Sequence, residues 1–486
     1  MAEAQQEALP ICPRLCISAA RGGGGKTLVS LGLARAFAQD GLAVKAFKKG
    51  PDYIDAAWLA KASRQKATNL DLFFLNHAAL IKLVEQSLQK LARLGLPLFA
   101  LLEGNRGLYD GLNSQGTCST AELARLLNFP ILLVLDVTKT TRTAAALLRG
   151  LTSFEEGLTF AGCILNRVGT SRQEQLLRTC IENETELRVL GAMPRLSANP
   201  LPERHMGLAS SGDELAEHCE TKLDSLASLV RSSVALDELW TRCQPKDKAK
   251  PLPTIVLDQP RHQPKTEQAL KIGYVRDQAF WFYYEENLEA LTEQGAKLVP
   301  LRILGEPSPP DLWQEIHGLY IGGGFPEDYA KELAKSPVLA EIVKQSKRGL
   351  PIYAECGGFM LLARSLLVKG QRYDMCGVFP VDVEFCARPQ GLGYVQGSVL
   401  RSNPFFAQGE VLRGHEFHYS RCVGALPAPP MLSLCLGQGM GKVDGRAYDG
   451  LCVNRTWASY MHIFAEAHPS WARNFLLAAR LFSQSA

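Results

Sequence analysis

The sequence predicts two α/β domains in series, the first built on a parallel sheet with a phosphate-binding loop. Three observations lead to this fold class. Nearly continuous apolar runs alternate with helix-length segments, a glycine-rich turn joins the first run to a helical pattern, and a stretch rich in proline and lysine interrupts the alternation. At roughly 150 residues per domain, a chain of 486 residues is long enough for this arrangement. We expect domains at residues 1–240 and 270–486, joined by a linker at 241–269.

Apolar runs in both domains are predicted to be strands of parallel sheets. Each run is almost free of polar residues, as is typical of strands that helices cover on both faces. The runs of the first domain are LCISA (15–19), LAVKAFK (42–48), PLFALLE (97–103), PILLVLD (130–136), FAGCILN (160–166) and RVLGAM (188–193). Those of the second domain are KIGYVRD (271–277), KLVPL (297–301), GLYIGGG (318–324) and PIYAEC (351–356), followed by β-like runs and a final amphipathic segment.

The composition excludes several classes of protein. The 53 Lys and Arg residues nearly balance the 49 Asp and Glu residues, so a nucleic-acid-binding protein is not expected. No apolar run is long enough to cross a membrane, and the start of the chain, MAEAQQEALP, lacks the features of a signal peptide. The 13 cysteines form no CxxC pair, which indicates neither a disulfide framework nor a zinc site. We expect a cytoplasmic protein that binds small molecules, as a monomer or a homodimer.

A glycine-rich loop follows the first predicted strand. Residues 22–25 are all glycine, Lys26 and Thr27 follow, and a helical pattern begins there. Glycines let backbone N–H groups surround phosphate oxygens, the lysine reaches the β- and γ-phosphates, and the threonine hydroxyl binds Mg²⁺. The strict pattern requires glycine where Ala20 stands, whereas the stretch that starts at Arg21 is similar to the variant loop KGGxGKT. We expect this loop to bind the phosphates of a nucleotide.

Four carboxylates follow predicted strands of the first domain. They are Asp52, Asp55, Glu103 and Asp110. Ligands of parallel sheets bind beyond the carboxyl ends of the strands, which is where these residues lie in the sequence. Carboxylates at such positions hold Mg²⁺ in other phosphate-loop enzymes. We therefore expect this group to bind metal or substrate, whereas the lysine pair at 48–49 is expected to be solvated.

A cysteine in the second domain is placed as a nucleophile. Cys356 ends an apolar run and is followed by two glycines and an amphipathic segment, which is the pattern of a strand–nucleophile–helix turn. The N-terminus of the predicted helix is expected to lower the pKa of the thiol. Backbone N–H groups of the glycines before and after this turn are suited to hold an oxyanion. The candidate residues are Gly322, Gly323, Gly324 and Gly357.

A nucleophilic thiol also requires a base. His462, in ASYMHIF near the end of the chain, follows a short β-like run and is the predicted base. His415 and His418, both in RGHEFHYS, are its rivals. A histidine in an apolar run is often a hydrogen-bonded core residue, so this assignment depends on where the fold places the ring.

Seven motifs in this order resemble those of the cobyrinate a,c-diamide synthase family. They are the phosphate loop, GPDYID, EGNRGLYDG, LPERHMGL, IGGGFPE, AECGGFMLL and ASYMH, and they extend over nearly the whole chain. The resemblance implies a dethiobiotin-synthetase-like ATP domain followed by a class I glutamine amidotransferase domain. It also implies an activity in cobalamin biosynthesis: glutamine supplies ammonia, ATP with Mg²⁺ activates carboxylates as acyl phosphates, and the a and c acetates of cobyrinic acid become amides.

The resemblance further implies roles for residues at matching positions. Cys356 attacks glutamine, and His462 acts as general base and acid. Asn166 resembles an asparagine that recognises adenine, although a residue that caps the next helix fits its position equally well. The implied ATP-binding set is Gly23, Gly24, Gly25, Lys26, Thr27 and Asn166. The implied metal set is Thr27, Asp55 and Glu103, and the implied substrate set is Asp52, Tyr53, Asp110 and Arg204.

One departure and two alternatives accompany this interpretation. Amidotransferases of this class usually carry Glu two residues after the histidine, where this chain has Phe464; cobyrinate and cobyrate synthases share that departure, and Glu466 is a candidate for the acid that orients His462. A related enzyme could instead amidate nickel-sirohydrochlorin or hydrogenobyrinate. An ATPase switch similar to ParA and MinD would fit Arg21 and the glycines after it, but it leaves Cys356 unexplained.

Overall fold

The computed structural model describes residues 12–196, 213–245, 269–424 and 430–485. It divides the chain into two compact units, Met1–Met206 with Glu214–Leu257, and Gly207–Asp213 with Asp258–Ala486. The elements of the first predicted domain lie in the first unit, and those of the second lie in the second. Most of the expected linker, 241–269, lies outside the described residues.

A seven-stranded parallel sheet forms the centre of the first unit. Its strands are β1 (Arg14–Ala19), β2 (Ala43–Lys49), β3 (Thr68–Leu70), β4 (Leu98–Glu103), β5 (Ile131–Asp136), β6 (Phe160–Val168) and β7 (Val189–Pro194). Their order is β3-β2-β4-β1-β5-β6-β7, and all neighbours are parallel. Every strand predicted here is present, with ends shifted by at most two residues. β3 was not predicted because three residues are too few to give a periodic pattern.

The helices of the first unit are α1 (Lys26–Gln39), α2 (Tyr53–Ser63), α3 (His77–Ala92), α4 (Thr120–Leu127), α5 (Thr143–Ser153), α6 (Ser171–Glu184), α7 (Asp213–Ser233) and α8 (Leu236–Arg242). The side chains of Asp52, Asn76, Ser119 and Thr170 accept hydrogen bonds at the N-termini of α2, α3, α4 and α6. No side chain does this for α1. Because β1 is the central strand, α1 begins in the middle of the carboxyl edge of the sheet, between the ends of β4 and β5.

The second unit combines one largely parallel sheet with antiparallel and mixed sheets. Its strands are β8 (Lys271–Val275), β9 (Phe280–Phe282), β10 (Lys297–Leu301), β11 (Gly318–Ile321), β12 (Gly323–Gly324), β13 (Ile352–Glu355), β14 (Ser365–Val368), β15 (Gln371–Asp374), β16 (Asp382–Phe385), β17 (Gly391–Val399), β18 (Val411–His418), β19 (Ser420–Val423), β20 (Leu432–Leu436), β21 (Gly441–Val443), β22 (Arg446–Asp449), β23 (Leu451–Val453), β24 (Thr456–Ser459) and β25 (His462–Ile463). The main sheet has the order β10-β8-β11-β13-β24-β23. A second sheet has the order β21-β22-β20-β17-β18-β25, and the smaller ones are β15-β14-β16-β19 and β12-β9.

Six helices complete the second unit, and the last of them is the predicted amphipathic segment. They are α9 (Glu285–Glu293), α10 (Pro310–Gln314), α11 (Ala330–Leu333), α12 (Val338–Lys347), α13 (Gly357–Leu362) and α14 (Pro469–Ser485). In α14, Trp471 and Phe475 are buried while Leu477 and Leu481 face outward. Within the described residues, no helix has both the length and the apolarity that are needed to cross a bilayer.

Candidate active sites

The loop between β1 and α1 requires glycine at its last position. Gly25 has a φ of 99° and forms the N-terminal cap of α1, a conformation that L side chains rarely adopt. A β-carbon on Gly25 would also overlap the side-chain amide of Asn166. Because no side chain caps α1, its first N–H groups have no side-chain acceptor, which is the arrangement that phosphate groups exploit.

Asn166 lies in β6 and is bonded to the phosphate loop. Its Nδ2 donates to the carbonyl of Gly24 at 2.9 Å, and its Oδ1 accepts from the N–H of Arg167 at 3.0 Å. The following helix is capped by Thr170 instead, whose hydroxyl accepts from the N–H of Gln173 at 3.2 Å. The helix-cap interpretation of Asn166 is therefore wrong, and adenine recognition stays a prediction.

The lysine of the loop turns toward the segment that follows β4. The Nζ of Lys26 donates to the carbonyl of Arg106 at 2.5 Å and to the carbonyl of Arg21 at 3.4 Å. Burial lowers the pKa of Lys26, and the positive charge of Lys48 nearby lowers it further. The hydrogen bonds of this ammonium group become stronger when charged phosphate oxygens replace its neutral carbonyl partners.

Lys48 is buried rather than solvated, so that expectation is wrong. Its Nζ lies 2.5 Å from Oδ2 of Asp55 and 2.9 Å from Oε1 of Glu103, and its neighbour Lys49 is buried as well. Burial alone would lower the pKa of Lys48, but the two carboxylates outweigh burial and the pKa is raised. Thr27 donates from Oγ1 to the same oxygen of Glu103 at 2.7 Å. The structure thus brings the three predicted metal ligands together around one ammonium group.

These residues fit a magnesium ion. Glu103 Oε2 is buried and has no hydrogen-bond partner among the described residues, so it is an acceptor left for a ligand. Mg²⁺ takes oxygen ligands and usually binds through one or two carboxylates together with water and substrate phosphates. Thr27, Asp55 and Glu103 supply such a set. In the part of the chain that the structure describes, no group of three or more His, Cys, Asp or Glu side chains encloses a metal position, so a cage made by protein alone is not present there.

Two of the predicted substrate residues lie at the start of α2. Asp52 caps this helix by accepting from the N–H of Asp55 at 2.9 Å, and burial raises its pKa. Tyr53 is buried in the first turn of the helix. Arg204 lies outside the described residues. The capping bond of Asp52 gives it a structural role, and binding of substrate by this group stays a prediction.

Asp110, the fourth member of that set, borders a cavity. Its side chain is exposed, and its Oδ2 accepts from the N–H of Gly107 at 2.8 Å. The cavity has a volume of about 400 Å³ and polar walls. Its lining residues are Arg106, Tyr109, Asp110, Gly111, Asn113, Ser114, Gln115, Gly116, Phe154 and Glu155. This cavity and the carboxyl edge of the sheet are joined by the segment that follows Glu103.

Cys356 occupies a strained turn between β13 and α13. Its φ of 47° is positive, which is uncommon for a residue with a side chain, and its N–H donates to the carbonyl of Ser459 at 2.7 Å. The Sγ is buried and lies 3.7 Å from the carbonyl oxygen of Phe417. Burial raises the pKa of the thiol, and the carboxylate of Glu327 raises it further. The N–H of Gly357 at the start of α13 lowers the pKa of the thiol, as expected of a helix N-terminus, but burial outweighs this effect and the net pKa is raised.

Because they have no side chain, two glycines allow the turn that carries Cys356 and the ring of His462 to approach the same strand, β12. A β-carbon on Gly323 would lie 2.5 Å from Cε1 of His462 and 3.4 Å from its Nε2. A β-carbon on Gly357, directly after the cysteine, would lie 3.0 Å from the nitrogen of Gly324. The short strand β12 therefore has the histidine ring on one side and the cysteine turn close by.

Gly322 has a different role from the one that was predicted. Its N–H donates to the hydroxyl of Tyr283 at 2.8 Å, and that hydroxyl donates to the carbonyl of Val275. A β-carbon on Gly322 would overlap the same tyrosine ring. The prediction that Gly322 donates to an oxyanion is wrong, because its N–H is already bonded within the core.

The three candidate histidines occupy different surroundings. The ring of His415 stacks on the ring of His462, with centroids 4.7 Å apart and planes at 16°, and its Nδ1 lies 3.2 Å from the hydroxyl of Tyr284. Burial lowers the pKa of His415 far below its usual value, and His462 adds to this effect. His418 stacks on Tyr460, with centroids 3.7 Å apart. Since His462 is the one that packs against β12, it remains the predicted base.

An acid that the sequence analysis missed lies beside this histidine. Glu355, directly before Cys356, is fully buried, and its Oε2 lies 3.6 Å from Nδ1 of His462. Glu466, the acid that the sequence suggested, is exposed in a 3₁₀ turn. A glutamate at the end of an otherwise apolar buried strand is the signal that could have identified Glu355, because buried carboxylates are rare without a partner.

Comparisons with known proteins agree with both halves of this description. Residues 15–208 match the CobQ/CobB/MinD/ParA nucleotide binding domain, and residues 271–470 match the CobB/CobQ-like glutamine amidotransferase domain. The predicted fold class is thereby confirmed.

Relatives extend the likeness over nearly the full length. The cobyrinate a,c-diamide synthase of Magnetococcus marinus is 36% identical over 95% of this chain and 96% of its own length. The enzyme of the same name from Caldanaerobacter subterraneus is 36% identical over 85% of this chain and 88% of its own. That from Dehalococcoides mccartyi is 35% identical over 97% of this chain and 99% of its own. This chain therefore belongs to the cobyrinate a,c-diamide synthase family.

Proposed function

We propose that this enzyme converts the a and c acetate carboxylates of cobyrinic acid to amides, with glutamine as the amide donor and ATP as the activating substrate. The observation that carries the proposal is the likeness, over nearly the whole chain, to enzymes named cobyrinate a,c-diamide synthase. In the first unit, Lys26, Thr27 and the nearby carboxylates suit the use of ATP. In the second, Cys356 and His462 suit the hydrolysis of glutamine. A switch of the ParA or MinD kind would use the first unit alone and would leave Cys356 and His462 without a role.

In the second unit, Cys356 is the proposed nucleophile. Its sulfur adds to the side-chain amide carbon of glutamine while the thiol proton passes to His462, and N–H groups of Gly323, Gly324 and Gly357 stabilise the oxyanion. The carbon–nitrogen bond then breaks, and His462 returns the proton to the leaving nitrogen, so that ammonia and a thioester form. Water hydrolyses the thioester to glutamate and restores the thiol.

In the first unit, the difficulty is that a carboxylate is a poor electrophile. Transfer of the γ-phosphoryl group from ATP to a ring carboxylate gives an acyl phosphate and ADP. Ammonia then attacks the acyl carbon, phosphate leaves, and the amide forms with loss of a proton. Lys26 and the N–H groups at the start of α1 would bind the phosphates. Mg²⁺ neutralises phosphate charge when it is bound, and Thr27, Asp55 and Glu103 are the residues that would hold it.

The substrate assignment is tested by mass spectrometry of the product. With cobyrinate, ATP and glutamine, we expect two successive acid-to-amide conversions. Nickel-sirohydrochlorin and hydrogenobyrinate, assayed in parallel, should be converted more slowly. No reaction with cobyrinate, together with turnover of either of the other rings, would contradict the choice of substrate but not the amidotransferase chemistry.

The nucleophile is tested by Cys356→Ser. This variant should lose synthesis that depends on glutamine, because the hydroxyl is a much weaker nucleophile than the thiolate, and it should regain synthesis when ammonium salts replace glutamine. The assay compares both nitrogen sources under the same ATP and cobyrinate concentrations. Full activity of the variant with glutamine would show that another group attacks the amide.

A further inference from the structure

The ring of a catalytic histidine needs a partner at Nδ1. In cysteine and serine hydrolases an acid on that nitrogen fixes the tautomer and stabilises the imidazolium that forms when the other nitrogen takes the proton of the nucleophile. The residue two positions after His462 is Phe464, which is fully buried and carries no acid. His462 must therefore find its acid elsewhere in the fold.

Glu355 lies where such an acid is required. It ends β13, so the strand that delivers Cys356 to the turn also delivers this carboxylate. Its Oε2 lies 3.6 Å from Nδ1 of His462, and its Oε1 accepts from the N–H of Ile463 at 3.0 Å. On the side of β12, a β-carbon on Gly323 would lie closest to Cε1 of the ring and 3.4 Å from the other ring nitrogen, Nε2. The ring thus lies between two different groups, the acid on one side and the glycine strand on the other.

The carboxylate is held in this place by two hydroxyl groups. Tyr320 donates to Oε2 at 2.9 Å and Tyr353 donates to Oε1 at 3.1 Å. Asn287 in turn donates to the hydroxyl of Tyr320 at 3.2 Å and to the carbonyl of Ile463 at 3.0 Å. These bonds leave the carboxylate little freedom, so its position relative to the imidazole is set by the folded core.

The ring is also fixed from its faces. His415 stacks on it, and a β-carbon on Gly323 would overlap it. With its plane fixed in this way, the carboxylate needs only to accept the Nδ1 proton and to balance the positive charge. The separation of 3.6 Å is longer than a hydrogen bond, but catalytic hydrogen bonds are often long without substrate and shorten in the reacting complex.

We propose that Glu355 is the residue that positions His462, in place of the acid that is missing at Phe464. It binds the Nδ1 proton of the imidazole and stabilises the imidazolium–thiolate pair that forms with Cys356. The inference rests on the glutaminase half of the proposed function. Among the described residues, the titratable side chains that act on Glu355, His462 or Cys356 include His415, which stacks on the ring, and Tyr320 and Tyr353, which donate to the carboxylate. They also include Glu327 and Asp449, whose charges raise the pKa of the thiol.

The variant Glu355→Gln tests the proposal because it keeps the shape and removes the charge. We expect the kcat of glutamine hydrolysis to fall about 100-fold or more, with little change in KM. The charge of Glu355 by itself raises the pKa of Cys356, so a carboxylate that acted on the thiol alone would, once removed, lower the pH at which Cys356 reacts with iodoacetamide. If Glu355 acts through the imidazolium instead, this pH should rise, since the imidazolium loses its counter-charge. Glu466→Gln, which removes an exposed acid near the same histidine, is the matched control and should leave both measurements unchanged.

Two further measurements separate an effect on the position of His462 from an effect on folding. Synthesis with ammonium salts should continue in Glu355→Gln, and thermal denaturation measures any loss of folding. Wild-type kcat in the folded variant, or an alkylation profile that is unshifted or moves to lower pH, would overturn the proposal. Glutamine hydrolysis and alkylation of Cys356 are measured without ATP or a tetrapyrrole, so a wrong tetrapyrrole assignment would leave the test intact.

A measurement on the unaltered enzyme decides the question if the variant does not fold. The proton spectrum at low pH should contain a low-field imidazole N–H resonance, of the kind that a carboxylate partner produces, and His462→Gln should abolish it. Its absence from the spectrum of the folded wild-type enzyme would overturn the proposal.

Discussion

In the first unit, Lys48 is paired with Asp55 and Glu103 at the edge where phosphate is expected, whereas in the second unit the thiol of Cys356 is buried in a turn with a φ of 47°. The first site keeps its charges in contact with one another. The second keeps a neutral nucleophile in a conformation that costs energy, of order 1–3 kcal/mol. The first site is thus built from charged side chains that are already paired, and the second from a backbone that already has the shape of the turn.

This difference suits the two reactions. On the proposed function, a nucleotide and a metal ion bring several charges to this edge, so Lys48 and the carboxylates would exchange partners. Glutamine brings no net charge to the reacting amide, so the cysteine site would only have to move a proton from Cys356 to His462. The stability of the first unit is therefore expected to depend on the paired charges, whereas the cysteine site should be sensitive to small changes of shape in addition to the charge of Glu355.

Replacement of Lys48 by methionine should have the largest effect. Loss of the ammonium leaves the fully buried carboxylate of Glu103 without its counter-charge, beside the half-buried carboxylate of Asp55. Breaking a buried ion pair in this way costs about 3–5 kcal/mol. Peptides of the first unit should therefore become less protected from hydrogen exchange in a urea series, while glutamine hydrolysis by the second unit continues.

Lys45→Met is the matched control for this loss. Lys45 lies in the same strand and is also buried, but its Nζ donates to the uncharged carbonyl of Lys66 at 2.9 Å and lies 5.6 Å from the centre of the Phe47 ring. Loss of these two contacts should cost about 1–2 kcal/mol, less than the loss of the ion pairs of Lys48. Equal destabilisation by the two substitutions would contradict the view that paired charges hold the phosphate site together.

Gly323→Ala tests the sensitivity of the cysteine site to shape. The added carbon would lie 2.5 Å from Cε1 of His462, so the ring has to move. A displacement of the order of 1 Å in a catalytic group lowers rates about 100-fold, and glutamine hydrolysis should fall by that factor. Synthesis from ammonium salts should be unaffected.

The control for an added methyl group is Gly150→Ala. Gly150 lies in α5, is exposed and has open space around its α-carbon. This substitution should leave both activities unchanged and should stabilise the helix by about 0.5–1 kcal/mol. If Gly323→Ala hydrolysed glutamine as fast as this control, the ring of His462 would not be confined as the structure indicates.

Glu327→Gln should have the smallest effect. The negative charge of Glu327 raises the pKa of Cys356, second to burial, so its removal should increase the thiolate fraction. Alkylation by iodoacetamide near neutral pH follows the thiolate fraction and should therefore be faster, by a factor of about three. Glu332→Gln removes the same charge from an exposed position in α11 and should leave the rate unchanged. Equal rates in the two variants would contradict a specific effect of Glu327.

The strands and the two special turns were predictable because the pattern of each lies within a short stretch of sequence. Strands such as β5 are apolar at nearly every position, since helices cover both faces of the sheet, and their sequence reports this directly. The glycine loop and the turn at Cys356 were predictable for a similar reason. In each, a strand, a special turn and a helix follow one another directly along the chain, so one short stretch of sequence contains the whole pattern.

The site details that were missed depend on contacts between distant residues. Lys48 looks solvated in sequence, and only the neighbouring strand β4 brings Glu103 to its side. Glu355 is adjacent to Cys356 in sequence, but its importance arises from His462, which the fold brings to it from near the end of the chain. Likewise, the N–H of Gly322 is not available for an oxyanion because it donates to the hydroxyl of Tyr283, a residue distant in the sequence.

One ammonium group joins two loops of the first unit. The Nζ of Lys26 donates to the carbonyl of Arg106, and Arg106 lines the cavity beside Asp110. If a nucleotide draws Lys26 onto its phosphates, as the proposed function requires, that carbonyl loses its donor and the wall of the cavity loses this hydrogen bond. Binding at the two places would then be thermodynamically coupled, and by reciprocity a molecule in the cavity would change the affinity for nucleotide by the same factor.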